Sequence, residues 1–333
     1  MNQDPQKSSQ HASDPNVLAQ KLRGILLPLT TPFLSDATSD KFDGRALREN
    51  LSKWNLTGVS GYAILGSTGE RVHLDEREYV EVIETAREGV PGGRDGLAFI
   101  VGAGQQSTRG TINEIKKAAA AGADAVLVIT PHFYRAAITQ ESLITYYTAV
   151  ADASPVPVLL YSMPALTGIK IEPATIAHLS EHPNIIGAKD SSADIKGFQE
   201  TVKLCPRDFA VMTGNGTVLL DALKAGATGG ILAVGCAVPE ICVEIFRAFN
   251  AGEEERAAVL QSKLTPLAAA VTTRFGIGGL KAALDMSGYK GGAVRAPLRP
   301  PDESARAEIG LLLEQAKATF ATVLEKTEST AAV

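Results

Sequence analysis

Asn184-Ile185-Ile186-Gly187-Ala188-Lys189 reads as a strand buried on both faces that ends in a charge. Uninterrupted apolar runs of this kind belong to parallel strands covered by helices on either side. Seven more candidates have the same character: Gly24–Thr30, Val59–Leu65, Leu97–Gly102, Ala125–Thr130, Pro157–Tyr161, Phe209–Thr213 and Gly229–Val234, with Ile185–Lys189 as the sixth of the eight. Their starts recur about every 29 residues, the length of a βα unit. Helical patterns fill the intervals. Asp75-Glu76-Arg77-Glu78 places acids in a first turn, Ser107 opens Thr108–Ala121 with Gly122 as its stop, and Pro173 starts a helix that Pro183 follows.

Eight such units predict an α/β chain folded as a (β/α)₈ TIM barrel over residues 22–250. A doubly wound open sheet is the runner-up, and it lacks a Gly-rich dinucleotide fingerprint after an early strand. Beyond about residue 250 the strand runs stop, and Glu253–Val271, Ile277–Met286 and Asp302–Leu324 pattern as helices. Residues 251–333 are therefore expected to form an appended C-terminal helical region. Residues 1–21 are polar and mixed in charge and read as a disordered lead-in.

Of the 333 residues 45% are hydrophobic, enough for a large core, and the formal net charge is −5. That balance carries no footprint for nucleic acid or an anionic membrane. Cys205, Cys236 and Cys242 are too few and too scattered for a disulfide framework or a zinc ligand set, and His132 and the other histidines show no metal-ligand spacing. No apolar run approaches a membrane span of roughly 20 residues. The first residues contain no apolar signal core, and no arginine precedes Arg23. A cytoplasmic location is expected, with the mitochondrial matrix second.

In a barrel, chemistry gathers where strands end at the C-terminal face. Lys189 ends strand six, Tyr161 ends strand five, and strand two runs into Gly66-Ser67-Thr68-Gly69-Glu70. A lysine in an apolar setting is paired, lifted into a cavity, or held neutral, and the neutral amine attacks carbonyls. An iminium on Lys189 would act as an electron sink for carbon–carbon cleavage. Tyr161 could shuttle the proton, relayed through Thr68, and the Gly66–Gly69 loop offers amides and hydroxyls to a carboxylate. Taken singly, each feature has a plainer reading. Lys189 suits a lysine snorkelling from a strand end or paired with Asp190, Tyr161 a core aromatic, and the Gly-Ser-Thr-Gly-Glu stretch a turn with a helix cap. Their joint placement on one rim favours chemistry.

Four motifs carry a resemblance: Gly66-Ser67-Thr68-Gly69-Glu70, Tyr161-Ser162-Met163-Pro164, Gly187-Ala188-Lys189-Asp190-Ser191 and Thr213-Gly214-Asn215. Over roughly residues 22–320 the chain resembles the pyruvate-dependent class I aldolase family that includes dihydrodipicolinate synthase and N-acetylneuraminate lyase. The resemblance implies Lys189 as the Schiff-base lysine and Tyr161 as proton shuttle. It implies Ser67 and Thr68 as carboxylate contact and relay, with Gly69, Ser191, Gly214 and Ile231 around the substrate. A homotetramer built as a dimer of dimers is implied, as are pyruvate or another 2-oxo acid as substrate and no metal or cofactor beyond the covalent Schiff base.

Two departures matter. Dihydrodipicolinate synthases usually place an arginine five residues after the tyrosine, and here Leu166 stands there, unable to clamp a carboxylate. The family often supplies a relay tyrosine from a neighbouring subunit, and Phe133 falls at that place with Tyr134 adjacent. Ala270-Val271-Thr272-Thr273-Arg274-Phe275-Gly276-Ile277 and the later Gly288-Tyr289, Gly291-Gly292 and Arg295-Ala296-Pro297-Leu298 are similar to the 4-hydroxy-2-oxoglutarate aldolase branch. The expected activity is reversible cleavage of a 4-hydroxy-2-oxo acid, either 4-hydroxy-2-oxoglutarate or a 2-keto-3-deoxy sugar acid, to pyruvate and an aldehyde. Condensation of pyruvate with aspartate semialdehyde to 4-hydroxy-tetrahydrodipicolinate is the second reading. A catalytically idle 2-oxo-acid-binding barrel is the third.

Overall fold

The computed structural model describes residues 15–34, 40–92 and 96–331. Eight parallel strands close into a barrel in chain order: β1 (Gly24–Pro28), β2 (Gly61–Ile64), β3 (Ala98–Ala103), β4 (Ala125–Ile129), β5 (Val158–Ser162), β6 (Ile185–Asp190), β7 (Ala210–Thr213) and β8 (Gly229–Ile231). Each of the eight apolar runs becomes a strand, most with ends within two residues of expectation. The last is the exception. It stops at Ile231, and Ala233–Cys236 turns as a 3₁₀ segment. The open-sheet alternative fails at one pairing: β8 bonds to β1, with Gly24 opposite Gly229.

The apolar runs are continuous because both strand faces are covered. Ala98, Ile100, Ala125, Leu127, Leu159 and Met212 fill the barrel interior, while Phe99, Val101, Val126, Val128 and Leu160 join the core beneath the surrounding helices. Helix boundaries follow the signals expected of them. Asp75 accepts from the Glu78 amide in a capping box, Ser107 caps Thr108–Ala120, and Gly122 takes φ +98° beyond that helix. After Pro239–Asn250 the chain continues as Glu254–Ala269, a π-helical turn at Ala270–Arg274, Gly276–Met286 and Glu303–Ala331. Among the described residues no helix is long and apolar enough to cross a membrane.

The disordered lead-in expected over 1–21 needs correction at its end. Pro15–Lys21 is a helix, and Leu18 and Leu22 are fully buried in the interior cluster with Leu26 and Ala63. Two leucines in a short polar stretch show no periodicity, but they have an apolar barrel end to cover. Residues 1–14 lie outside the described residues.

One irregularity decides which way the end of strand six faces. Val158 pairs with Ile185 but Leu159 pairs with Gly187, so Ile186 is an extra residue in the ladder. Inserting one residue exchanges the faces of everything beyond it. Ala188 consequently joins Leu160 in the outer core, and Lys189 joins Tyr161 on the interior side. Gly187 permits the close strand contact, since a Cβ there would lie 2.6 Å from the Ala210 carbonyl oxygen. Gly187→Val is expected to lower stability by about 1–3 kcal/mol in urea denaturation, because backbone must shift to admit it.

Candidate active site

Tyr161 and Lys189 are direct partners on β5 and β6, so the barrel register itself brings phenol and amine together. The Lys189 Nζ stands 4.4 Å from the centroid of the Tyr161 ring, and the lysine is only 5% exposed. The pairing with Asp190 considered for Lys189 does not form. Strand alternation turns Asp190 away, and its carboxylate accepts from the Ser192 amide at 2.7 Å. Among the described residues Lys189 makes no ion pair with a carboxylate. A cation thus lies against a π face in a cavity.

Ser67 Oγ lies 3.1 Å from the Tyr161 hydroxyl. Relay through Thr68 is the expectation from sequence, whereas the hydroxyl that lies beside the phenol is that of Ser67. Ser67–Gly69 forms a 3₁₀ turn, in which successive side chains stand a third of a turn apart, so only Ser67 is aimed at the phenol. Thr68 is buried beside it on the cavity wall. The first amides of such a turn have no partner within it, which leaves them available to a carboxylate. Gly69 is fixed from behind by its carbonyl, which accepts from Thr31 Oγ1 at 2.7 Å.

The remaining expected residues line the same cavity. Ile231 ends β8 inside it, and Gly214 follows β7 with its amide on the Asp190 carbonyl at 2.6 Å. Gly214 has a physical reason to be glycine: a Cβ would strike Ser191 Oγ and come within 2.5 Å of the Lys189 Cε. Ser191 Oγ is buried beside the Tyr161 hydroxyl, helps to lower the pKa of that phenol, and makes no hydrogen bond of ordinary geometry among the described residues. Leu166 is 61% exposed on the short helix Pro164–Thr167 at the cavity mouth. Phe133 and Tyr134 are both exposed, edge to face at 5.1 Å, in a loop held by Gln106 Oε1, which accepts the amides of His132 and Phe133. Of the two, Tyr134 lines the cavity.

Several participants escaped the sequence. Glu70 sits beneath the turn with its carboxylate buried against Lys281, 2.6 Å away. Lys281 lies on Gly276–Met286, where it looks like any helical lysine. Thr272 and Thr273 reach the cavity from the π-helical turn. An unexplained run of small polar residues before a helix was the available signal.

Burial alone raises the Tyr161 phenol pKa, but the Lys189 charge and the Ser67 hydrogen bond outweigh it and hold the group below its ordinary value. Lys189→Met removes the charge and leaves burial opposed only by the hydroxyl hydrogen bonds. The Tyr161 pKa should then rise, as read by ¹³Cζ-tyrosine NMR titration with Tyr161→Phe for assignment; an unchanged or lower value contradicts this electrostatic reading.

Comparison with known proteins agrees with this geometry. The sequence profile of the dihydrodipicolinate synthetase family matches residues 21–316. A 4-hydroxy-tetrahydrodipicolinate synthase of Acidiphilium cryptum is 34% identical over 291 residues, covering 86% of this chain and 95% of that protein. One from Methanopyrus kandleri is 33% identical over 296 residues, covering 89% and 95%. Among solved structures, a monomeric dihydrodipicolinate synthase variant superposes with a TM-score of 0.84 at 29% identity, covering 90% of this chain and 98% of that one. YagE from Escherichia coli K12, solved with pyruvate, gives 0.80 at 29% identity, covering 89% and 98%. The chain belongs to the dihydrodipicolinate synthetase family of pyruvate-dependent, aldolase-type enzymes.

Proposed function

We propose that this protein is a class I aldolase that cleaves a 4-hydroxy-2-oxo acid reversibly into pyruvate and an aldehyde. The observation that carries the proposal is the Lys189–Tyr161–Ser67 arrangement at the floor of an open cavity. The Lys189 amine adds to the C2 carbonyl, and loss of water gives the iminium. Tyr161, left as the phenolate once it has given its proton to that departing water, takes the proton of the 4-hydroxyl. The C3–C4 bonding pair then flows into the iminium, releasing the aldehyde and leaving an enamine. Protonation at C3 and hydrolysis return pyruvate and the free lysine. The Ser67–Gly69 turn receives the C1 carboxylate, with Ser191, Gly214 and Ile231 around the pyruvyl group. The lysine supplies the electron sink, so the reaction calls on no further cofactor or metal.

The acceptor end supports cleavage of a hydroxylated substrate. Leu166 presents no charge at the mouth, and the lining cations Arg71 and Lys117 are engaged by Glu114 and Glu76. Asn113 and Thr273 offer an amide and a hydroxyl instead, beside Gln105, Asn215 and Thr272, which are bonded in part to Glu114, Thr217 and Ala268. Of the two 4-hydroxy-2-oxo acids, these groups favour the 2-keto-3-deoxy sugar acid. A second reading, condensation of pyruvate with aspartate semialdehyde, draws its support from the relatives, which carry the name 4-hydroxy-tetrahydrodipicolinate synthase. An idle binding barrel gains nothing from a lowered tyrosine pKa beside a free lysine.

Assembly into a homotetramer in the cytoplasm belongs to the same proposal. The exposed Phe133–Tyr134 pair beside the cavity mouth supports contact through that loop.

Incubation with pyruvate and borohydride should leave a reduced pyruvyl adduct on Lys189, located by peptide mass spectrometry and absent in Lys189→Ala. No adduct on folded protein would defeat both enzymatic readings. Tyr161→Phe should retain the adduct and lose about 10²–10⁴-fold in turnover. In a panel containing the sugar acid, 4-hydroxy-2-oxoglutarate, and pyruvate with aspartate semialdehyde, the sugar acid should turn over fastest. Synthase activity exceeding both cleavage reactions would transfer the assignment to the second reading.

A further inference from the structure

Lys281 is a second buried lysine, 2% exposed, and the mechanism above does not use it. It arises in the appended helical region, on Gly276–Met286, yet its ammonium ends beneath the Ser67–Gly69 turn. There it meets the Glu70 carboxylate at 2.6 Å and the Thr31 carbonyl at 2.8 Å, donates to the Ala293 carbonyl, and lies 4.6 Å from the Phe33 ring centroid. Every donor of that ammonium has an acceptor within the protein, so it is not presented to substrate.

Glu70 is held through both oxygens in different ways: Oε1 makes the ion pair with Lys281 and no further hydrogen bond. Its second oxygen accepts from the Arg295 amide at 3.0 Å and contacts His73 Nδ1 at 3.2 Å. Its backbone adopts φ +54° and ψ +32°, a left-handed conformation uncommon for a residue with a side chain. That residue joins two successive 3₁₀ turns, Ser67–Gly69 and Arg71–His73. A strained conformation persists where its surroundings over-determine it. Here the surroundings are the Lys281 ammonium and the Arg295 amide, both from the C-terminal region. The same turn has a second tie, the Thr31 hydroxyl on the Gly69 carbonyl, and Thr31 is also one of the Lys281 acceptors.

We infer that the Glu70–Lys281 ion pair is a positioning device, holding the Ser67–Gly69 turn so that Ser67 reaches the Tyr161 hydroxyl. Neither residue touches the reacting atoms. Their effect passes through Ser67, which makes the appended helices part of the proton relay. The inference rests on the proposed Schiff-base chemistry, and the readouts below separate the two.

The test follows the exchange of pyruvate methyl hydrogens with D₂O by NMR, since that exchange reports proton transfer through the enamine. Borohydride trapping on Lys189 is measured in parallel at saturating pyruvate. Glu70→Gln with Lys281→Met removes both charges together and so avoids leaving one buried alone. The double variant should trap pyruvate to within about twofold of the parent yet exchange about tenfold more slowly. Combined with Ser67→Ala it should be no slower than Ser67→Ala alone, because the pair acts through that hydroxyl. Exchange at the parent rate, or a loss that multiplies with that of Ser67→Ala, overturns the inference. If the double variant does not fold, Thr31→Val removes only the tie to Gly69, and the same pattern of retained trapping and slowed exchange is required of it. Absence of the Lys189 adduct in the parent would instead remove the proposed function itself.

Discussion

The geometry of the candidate site depends on one extra residue. Were β6 regular, the alternation would carry Lys189 outward into the helix layer and turn Ala188 inward. The insertion of Ile186 opposite the Val158–Leu159 step reverses this beyond the bulge, and Lys189 arrives beside Tyr161. Glycine at 187 admits the close strand contact with Ala210 that accompanies the bulge. From that point the site assembles outward. The phenol is drawn below its ordinary pKa by the amine, Ser67 reaches the phenol from the next layer of loops, and Gly214 makes room for the lysine stem.

The two buried lysines show how surroundings divide one residue type into two tasks. Lys189 meets a ring face, small residues and an open cavity, with no carboxylate to neutralise it. Lys281 meets a carboxylate, two carbonyls and another ring. Burial pushes the Lys281 ammonium below its ordinary pKa, against the upward pull of Glu70. Its hydrogen bonds consume the donors that would give it reactivity. Proximity to a substrate cavity is therefore insufficient to make a lysine chemical; the absence of competing partners is the further requirement.

The barrel was legible because parallel strands covered on both faces must be apolar throughout, and eight such runs recur at βα spacing. The floor of the site was legible for a related reason: Lys189 and Tyr161 are polar endings to oily runs. The bulge was not. A continuous apolar stretch such as Ile185-Ile186-Gly187-Ala188 contains no alternation from which a face could be assigned. Thr68 was preferred to Ser67 as the relay because the sense of a three-residue 3₁₀ turn is set by how its ends are anchored, and those anchors, Thr31 and Lys281, are remote in sequence. The buried ends of the lead-in helix escaped because Leu18 and Leu22 acquire meaning only against the barrel they cover.

That covering has a kinetic corollary. Leu18 and Leu22 pack into the interior cluster at one end of the barrel, and the cavity over Lys189 opens at the other. In the proposed reaction the pyruvyl fragment would be tethered at the floor by Lys189, with the acceptor fragment between it and solvent. That arrangement would order departure in the proposed cleavage, the outer fragment leaving before water reaches the enamine and the inner one follows.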